Sequence, residues 1–173
     1  MNKEDIPFKD YDHAAKMRAG FHFTIDLNGH WYCHDPAMGV GPIKNERISK
    51  LFAGAGTGKY AGKGLSIENG KYFLKAPPAD LYGVDVEDVP FIIADFILDD
   101  KLTLVTNFGE VIDPTEFLHK EGVFPDIPYV EIRKGLLARL GRNVFYQLAE
   151  KAINRDGMIG IESQGKFLPL GPM

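Results

Sequence analysis

Alternating apolar and polar residues mark the first ordered stretch of this chain. Residues 21–27 read FHFTIDL, with an apolar side chain at every second position, which is the period of a β-strand. The pair Asn28-Gly29, typical of two-residue hairpin turns, and the segment HWYC follow, so the pattern predicts a hairpin. In that register Ile25 would face Tyr32 across the two strands.

The next segment predicts a helix and a second hairpin. Gly41-Pro42 places a proline in the first turn of the helix, where its missing N–H is tolerated. Gly54 has the position of a glycine that ends a helix, directly after the apolar residues of ISKLFA. A hairpin with a two-residue turn is then predicted by LSIE, Asn69-Gly70 and KYFLK.

The same order of elements recurs near the C-terminus. The segments PYVEIR and LLARL predict a hairpin with Lys134-Gly135 as its turn. The segment NVFYQLAEKAI predicts an amphipathic helix. Another hairpin is predicted by MIGIES and KFLPL, with Gln164-Gly165 as its turn. The segments LSIENGKYFL, from Leu65, and IGIESQGKFL, from Ile159, match closely. A further hairpin, FIIADFIL with KLTLVTN around an Asp99-Asp100 turn, lies between the two copies.

These patterns predict an α+β protein built from two hairpin–helix–hairpin units with mainly antiparallel sheets. We expect an N-terminal arm over residues 1–20, a first α+β repeat over residues 21–88 and a second repeat over residues 89–173. Two similar halves beside each other would form a cleft, and interfaces of that kind often hold ligands.

Charge and cysteine content exclude several classes of partner. The chain has 173 residues, a formal net charge of −4 and one cysteine, Cys33. An acidic protein has no overall attraction for nucleic acid polymers or anionic membranes, and a single cysteine forms no internal disulfide. The longest apolar run, residues 89–98, is far shorter than the roughly 20 residues of a membrane-spanning helix. We therefore expect a cytoplasmic protein.

The glycine-rich segment LFAGAGTGKYAGKG, residues 51–64, is similar to a phosphate-binding loop but lacks its pattern. Such a loop requires G-x-x-x-x-G-K-[ST], and Ala53 and Tyr60 occupy the positions of the first glycine and of the hydroxyl residue. The segment also follows a predicted helix C-terminus, where the helix dipole repels anions. We interpret it as a connector, with the alternative of a lid over the cleft through Lys59 or Tyr60.

The segment HWYCHD, residues 30–35, concentrates residue types that bind metals. Neighbouring residues on a strand point to opposite faces, so Cys33 and His34 diverge and a metal site is disfavoured. The simplest interpretation is that the histidines lie on the surface or have hydrogen-bond partners within the fold. Contact of a small ligand with Trp31, His34 or Asp35 is the alternative. No metal ligand and no cofactor are predicted.

An acidic run precedes the apolar segment PFII. It contains Asp80, Asp85, Glu87 and Asp88. Hard cations bind oxygen ligands, but the residue spacing of a calcium loop is absent here. We therefore expect a solvated loop.

Basic residues concentrate in one short part of this acidic chain. They are Arg133, Lys134, Arg139 and Arg142. Arg142 stands just before the second predicted helix, and a helix N-terminus with a nearby arginine suits an anion. The alternative is structural: Asn143 would be the N-cap, and the arginines would pair with Glu131 and Glu150.

No catalytic constellation is recognisable in the sequence. His119 lies among glutamates, but a general base needs an orienting partner and a substrate that the sequence does not reveal. A hydrolase that uses His34 or His119 is the least favoured function. Tyr129 and Tyr146 can stack on a base if they line a cleft, and are otherwise residues at the edge of a core.

Several motifs occur in a characteristic order: HWYCHDP, LFA, KYFLKAP, VDVEDVPF, TNFGEVI, PYVEIRKGLLARLGRNVFYQLAEKA and GIESQGKFLPLG. In that order they resemble an uncharacterised bacterial family, domain of unknown function 1285 (DUF1285), from about residue 21 to residue 172. The resemblance implies a duplicated α+β core whose second half resembles a pleckstrin-homology-like barrel. It also implies a cleft suspected of holding a nucleotide-like ligand, a role in signalling and no enzymatic activity. Two departures, the long glycine-rich loop and ADLYG after KAPP, leave the ligand preference open.

These observations lead to the hypothesis of a non-catalytic regulatory protein that binds a small anionic, nucleotide-like ligand between its two halves. The predicted ligand-binding residues are Trp31, His34, Asp35, Tyr129, Arg133, Arg142 and Tyr146. The alternative is a protein-interaction module that uses exposed sheet edges or the N-terminal arm. Exposed hairpin edges would also permit a homodimer.

Overall fold

The computed structural model of the chain describes residues 21–55, 64–76 and 80–172. These residues fall into two compact units that divide between Pro90 and Phe91. Each unit, as far as it is described, is mostly sheet with one helix, and most strand pairs are antiparallel. This architecture agrees with the predicted α+β class.

The first unit contains a six-stranded sheet and helix α1 (Glu46–Phe52). Its strands are β1 (His22–Ile25), β2 (Trp31–Asp35), β3 (Gly39–Pro42), β4 (Leu65–Glu68), β5 (Lys71–Ala76) and β6 (Asp80–Val86). Their order across the sheet is β3-β2-β1-β6-β5-β4. Strand β6 therefore joins the two predicted hairpins, because it pairs in parallel with β1 and antiparallel with β5.

The second unit contains a five-stranded sheet, a three-stranded sheet and helix α2 (Arg142–Lys151). Its strands are β7 (Phe91–Leu98), β8 (Leu102–Thr106), β9 (Val111–Ile112), β10 (Tyr129–Arg133), β11 (Leu136–Leu140), β12 (Ile153–Arg155), β13 (Met158–Ser163) and β14 (Lys166–Pro172). The sheet orders are β10-β11-β7-β8-β9 and β12-β13-β14. Strand β11 pairs in parallel with β7, which again links two hairpins.

Strand β6 corrects the prediction of a solvated loop for the acidic run. Most of the run lies in a strand with neighbours on both sides, and Asp88, beyond its end, is buried. The physical reason is that buried and exposed side chains alternate along β6, and the acidic residues obscured this alternation in the sequence. Tyr82 and Val84 are buried on the core face, while Gly83 and Asp85 are exposed on the other face.

The first hairpin forms, but its predicted register is wrong. Ile25 faces Trp31 rather than Tyr32. The cause lies in the loop, where Asp26 N donates to His30 O at 3.0 Å and encloses three residues instead of two. The prediction assumed that an Asn-Gly pair forms a two-residue turn.

Gly29 makes the longer loop possible and thereby selects the face of each side chain. Its φ of 79° is the left-handed conformation that closes a three-residue hairpin loop. The register shift places Trp31 with Phe23 on the core face of the sheet. His22 and His34 consequently share the opposite face.

Helix α1 begins later than predicted. Pro42 does not open the helix, because it ends strand β3, which pairs with β2. The N-cap is Asn45, whose Oδ1 accepts hydrogen bonds from Arg47 N at 3.0 Å and Ile48 N at 3.3 Å. A side-chain cap thus fixes the first turn of this short helix.

Helix α1 ends at the predicted glycine. Gly54 and Ala55 donate backbone hydrogen bonds of 3.1 and 3.0 Å to carbonyls of the last turn, in the pattern of a Schellman motif. The role of Gly54 as a helix terminator is therefore confirmed. The interpretation of the glycine-rich segment as connector or lid, including Lys59 and Tyr60, falls on residues 56–63, outside the described residues.

Three predicted two-residue turns are confirmed. Asn69-Gly70, Lys134-Gly135 and Gln164-Gly165 have positive φ at both residues, as type I′ turns require. Asp156-Gly157 forms another such turn, between β12 and β13, where no turn was predicted. The hairpin at Asp99 also forms, with a three-residue loop instead of a two-residue turn.

Helix α2 ends earlier than the apolar pattern predicted. Its last residue is Lys151, whereas Ile153, the last residue of the predicted helix, starts β12 and is 41% exposed. Val144 and Leu148 do form the buried stripe of the helix. Ala152 has an extended conformation, so the chain leaves the helix there and enters the β12–β13 hairpin.

Asp26 holds the loop of the first hairpin through three hydrogen bonds. Its Oδ1 accepts from Asn28 N and His30 N, and its Oδ2 accepts from Tyr32 OH, each at 2.9 Å. Burial acts to raise the pKa of Asp26. The hydrogen bonds, together with the attraction of His30, outweigh burial, so the pKa lies below its ordinary value.

We expect Asp26→Asn to lower the free energy of unfolding of the first unit by about 1–2 kcal/mol near neutral pH. Because the folded pKa is lowered, the carboxylate stabilises the fold above the unfolded pKa of about 3.9, and this is lost as pH falls through the folded pKa. The difference between wild type and variant should therefore shrink near pH 3. Urea unfolding followed by the fluorescence of Trp31, the only tryptophan, measures it.

The exposed carboxylate of Asp126 supplies the control. Asp126→Asn should leave the urea midpoint of the first unit unchanged at both pH values. A difference between wild type and Asp26→Asn that stays constant down to about pH 3 would contradict the role of the Asp26 carboxylate.

Candidate functional site

The start of helix α2 is set by close packing of the backbone. Gly141 is the N-cap, and its N–H donates to Ile93 O of β7 at 2.9 Å. A Cβ at Gly141 would lie 2.7 Å from the same oxygen, so a side chain at the N-cap would displace the helix from the sheet. The predicted N-cap, Asn143, is wrong, because Asn143 is the second residue of the helix.

Arg142 and Tyr146 lie on one exposed face at the start of α2. They are four residues apart, so their side chains are neighbours on the helix surface. Arg142 is exposed, Tyr146 is 56% exposed, and the first turn contains no acidic residue. Backbone N–H groups, a guanidinium group and a phenol ring therefore stand side by side. This set suits an anion that carries a flat group.

Arg133 is far from Arg142 along the β10–β11 ladder. It pairs with Leu136 at the start of β11, whereas Arg142 follows the end of that strand. The length of β11 between these points corresponds to about 13 Å. The structure therefore does not bring together the two arginines that the sequence grouped into one site.

Arg133 is engaged in an ion pair within its own unit. Its Nη1 lies 2.5 Å from Glu110 Oε2, and its guanidinium carbon lies 5.4 Å from the centre of the Phe91 ring. Structural pairing was the predicted alternative, but with Glu131, whose Oε2 instead accepts from Gly135 N at 3.0 Å. The partner Glu110 was missed because it is 23 residues away, with no local spacing to reveal it.

The two other aromatic candidates are buried in the cores of their own units. Trp31 is 2% exposed, with its ring 6.1 Å from that of Phe23 and 5.9 Å from that of Phe52. Tyr129 is 0% exposed, and Lys120 Nζ lies 5.4 Å from its ring centre. Neither ring presents an open face for stacking in the described structure.

His34 and Asp35 have partners that explain their positions. The ring of His34 stacks on His22 with centroids 4.1 Å apart, and its Nε2 lies 3.0 Å from Thr24 Oγ1. Asp35 Oδ1 accepts from Ala37 N at 2.8 Å and from Met38 N at 3.2 Å, which closes the turn before β3. Asp35 is therefore a turn residue, and His34 lies in a histidine pair on the sheet face.

The histidines considered for catalysis lack an orienting carboxylate in the described structure. Within residues 21–55, 64–76 and 80–172, no carboxylate is hydrogen-bonded to His34 or to His119. The thiol of Cys33 is also unsuited to nucleophilic chemistry, because burial, and then the charge of Asp35, raise its pKa. Among the described residues, these positions therefore show neither the histidine–carboxylate contact nor the lowered thiol pKa that mark a general base or an activated nucleophile.

Comparison with known proteins identifies the second unit. Residues 90–170 match the family model described as protein of unknown function (DUF1285), C-terminal domain. The second unit is therefore similar to the C-terminal domain of the DUF1285 family. The resemblance stated from the sequence motifs is thereby confirmed. A search of curated proteins gave no match.

Two solved structures of DUF1285 family proteins are similar to the chain. The protein from Silicibacter pomeroyi DSS-3 is 26% identical, with a TM-score of 0.66 over 87% of this chain and 79% of its own. The protein from Shewanella baltica OS155 is 24% identical, with a TM-score of 0.52 over 76% of this chain and 92% of its own. The second likeness is evidence of the fold alone. Neither description of a DUF1285 protein states an activity.

No helix among the described residues combines the length and the apolar character that crossing a membrane requires.

The Glu110–Arg133 pair can be compared with an exposed ion pair in the same unit. The side chains of Arg133 and Glu110 are 21% and 22% exposed, against 42% and 63% for Lys101 and Asp113, whose charged atoms are 3.1 Å apart. A largely buried ion pair is shielded from water, so each charge depends on its partner. The exposed pair is screened by solvent.

We expect a double-mutant cycle with Arg133→Gln and Glu110→Gln to give a coupling free energy of about 1.5–3 kcal/mol. The matched cycle with Lys101→Gln and Asp113→Asn should give about 0–1 kcal/mol. Urea unfolding followed by circular dichroism measures both cycles. Equal coupling energies in the two cycles would contradict the structural role of Arg133.

Proposed function

We propose that this chain is a non-catalytic regulatory protein that binds a small anionic, nucleotide-like ligand. The observation that carries the proposal is the start of α2, where an N-terminus without a side-chain cap adjoins exposed Arg142 and Tyr146. The N–H groups and the guanidinium would hold a phosphate group. The phenol ring, one helical turn along, would contact the flat part of the ligand.

The proposal uses fewer residues than the set expected from the sequence. Trp31 and Tyr129 are buried, Asp35 closes a turn, and Arg133 has Glu110 as its partner. We therefore assign ligand contact to Arg142 and Tyr146 first. Their exposure and shared helix face support this assignment.

The proposal also covers the internal duplication of the chain, its role in signalling and its location in the cell. We infer a duplicated architecture with repeats over residues 21–88 and 89–173, a pleckstrin-homology-like second half, a signalling role and a cytoplasmic location. The matching type I′ turns of the β4–β5 and β13–β14 hairpins support the duplication. The single cysteine supports the location.

We expect Arg142→Ala to weaken binding of a nucleotide or of inorganic phosphate about tenfold or more, because a charge-assisted hydrogen bond contributes roughly 1.5–3 kcal/mol. Isothermal titration calorimetry with GTP, ATP and phosphate measures the affinity. Lys151→Ala, which removes an exposed cation at the other end of α2, is the matched control and should bind like wild type. Unchanged affinity in Arg142→Ala would exclude this site.

A second variant separates binding from folding. Asn143→Asp adds a negative charge in the first turn of α2, where the helix dipole makes it stabilising by about 0.3–1 kcal/mol. The same charge would repel an anionic ligand. We therefore expect a raised melting temperature together with weakened phosphate binding, both measured by thermal unfolding with and without ligand. Phosphate binding that survives in the stabilised variant would count against an anion at the helix start.

The second candidate function is a protein-interaction module. The observation that favours it is the β2–β3 hairpin, on which Met38 is 86% exposed and Val40 is 65% exposed. A second copy of the chain is the partner that the purified protein can test. Under this candidate, sedimentation velocity would detect a dimer that Met38→Lys with Val40→Lys converts to monomer. A wild-type monomer at every concentration would exclude the homodimer.

A further inference from the structure

Gly83 is a glycine that packing does not explain. It lies in β6, which has neighbouring strands on both sides, and it is exposed on the face opposite the core. Apart from Gly83 and its two chain neighbours, no heavy atom of the described residues lies within 4 Å of the place where a Cβ would stand, and φ is not in the left-handed region. Glycine weakens a strand, and one inside a sheet often marks close approach of a ligand.

The face of the sheet beside Gly83 carries a stack of two rings. Phe23 pairs with Val84, so His22 lies next to Gly83 on the neighbouring strand. His22 also pairs with His34 on its other side, and their rings stack with centroids 4.1 Å apart and planes 22° apart. The stack therefore runs across the strands. Strand β6 lies on the other side of β1 from β2, so a stack continued in the same direction would reach the position above Gly83.

Phe73 bounds the same space on the other side. It pairs directly with Gly83 and is half-buried, yet its ring does not fold over the glycine. The strands that carry His22 and Phe73 are two strand spacings apart, about 9.5 Å. A flat ring between two others requires about 7–8 Å at ordinary contact distances. Side chains that stand perpendicular to the sheet on these two strands would therefore leave the width of one planar ring between them.

Charged residues lie beside this space along the strands. Asp85, two residues after Gly83 on the same face, is exposed and pairs with Thr24. Lys71, two residues before Phe73, is exposed on the adjoining strand. A carboxylate can accept hydrogen bonds from ring N–H or amino groups, and an ammonium group can donate to ring nitrogen or carbonyl acceptors.

We propose that the outer face of the first unit binds a planar heteroaromatic ring, which inserts above Gly83 between His22 and Phe73. The ring continues the His34–His22 stack, and its edge meets Asp85 and Lys71. This site lies within the first unit and uses neither Arg142 nor a phosphate group. It is therefore additional to the anion site at the start of α2.

The test uses the full chain and 2-aminopurine riboside, an uncharged probe whose fluorescence falls when its ring stacks on another. We expect saturable quenching with wild type and its loss in Gly83→Val, because the valine side chain occupies the ring's place. Valine favours strands, so this variant should be at least as stable as wild type. Phe73→Leu should weaken binding about 5- to 100-fold, the effect of removing one stacking partner of a base.

The controls separate this site from other modes of binding. Gly41→Val places the same substitution in strand β3, where no described residue beyond the chain neighbours of Gly41 lies within 4 Å of the added Cβ, and should bind like wild type. Arg142→Ala should also leave the quenching unchanged. No saturable quenching by wild type, full quenching by Gly83→Val, or loss of quenching in Arg142→Ala would each overturn the proposal. If Gly83→Val does not fold, Phe73→Leu is the deciding variant, and an unchanged affinity of that variant for 2-aminopurine riboside would overturn the proposal.

Discussion

The parallel pairing of β1 with β6 is the contact on which the first unit depends. It joins two hairpins that are distant in the sequence, with Phe23 facing Val84 and Ile25 facing Val86. Two-stranded hairpins are marginally stable in water, and each of these hairpins has one apolar face to bury. The joined sheet provides a continuous surface for the buried residues of α1, Ile48 and Phe52. Burial of that surface is the main stabilising contribution available to the unit.

The corresponding parallel pairing in the second unit determines where α2 begins. Leu140 pairs with Ile93, and the next residue, Gly141, donates to the carbonyl of Ile93. The helix therefore starts against the sheet, at a residue that has no side chain to cap it. Arg142 and Tyr146 owe their exposed positions to this constraint, since the buried stripe of the helix begins at Val144. The close packing of Gly141 on the sheet thus places Arg142 and Tyr146 at the proposed anion site.

Features that depend on a few neighbouring residues could be predicted from the sequence, and features that depend on distant pairing could not. Asn69-Gly70 and Gly54 specify their turn and helix end locally, and both predictions were correct. Strand β6 was missed because acidic residues masked its alternation, although Tyr82 and Val84 carry it. Glu110 could not be predicted as the partner of Arg133, because the ion pair joins the last residue of β10 to the loop between β8 and β9.

Residue type alone could not separate candidate binding residues from core residues. A shift of one residue in a hairpin exchanges the two faces of a strand, and that shift moved Trp31 inside and put His22 beside His34. A residue whose type does not suit its position in the structure is a better indication of a binding site than residue type alone. Gly141 is explained by a carbonyl oxygen 2.7 Å from its missing Cβ, whereas at Gly83 no heavy atom of the described residues, its chain neighbours aside, lies within 4 Å of that place. A glycine that weakens a strand without serving packing or backbone conformation needs another reason, and the adjacent ring stack supplies one.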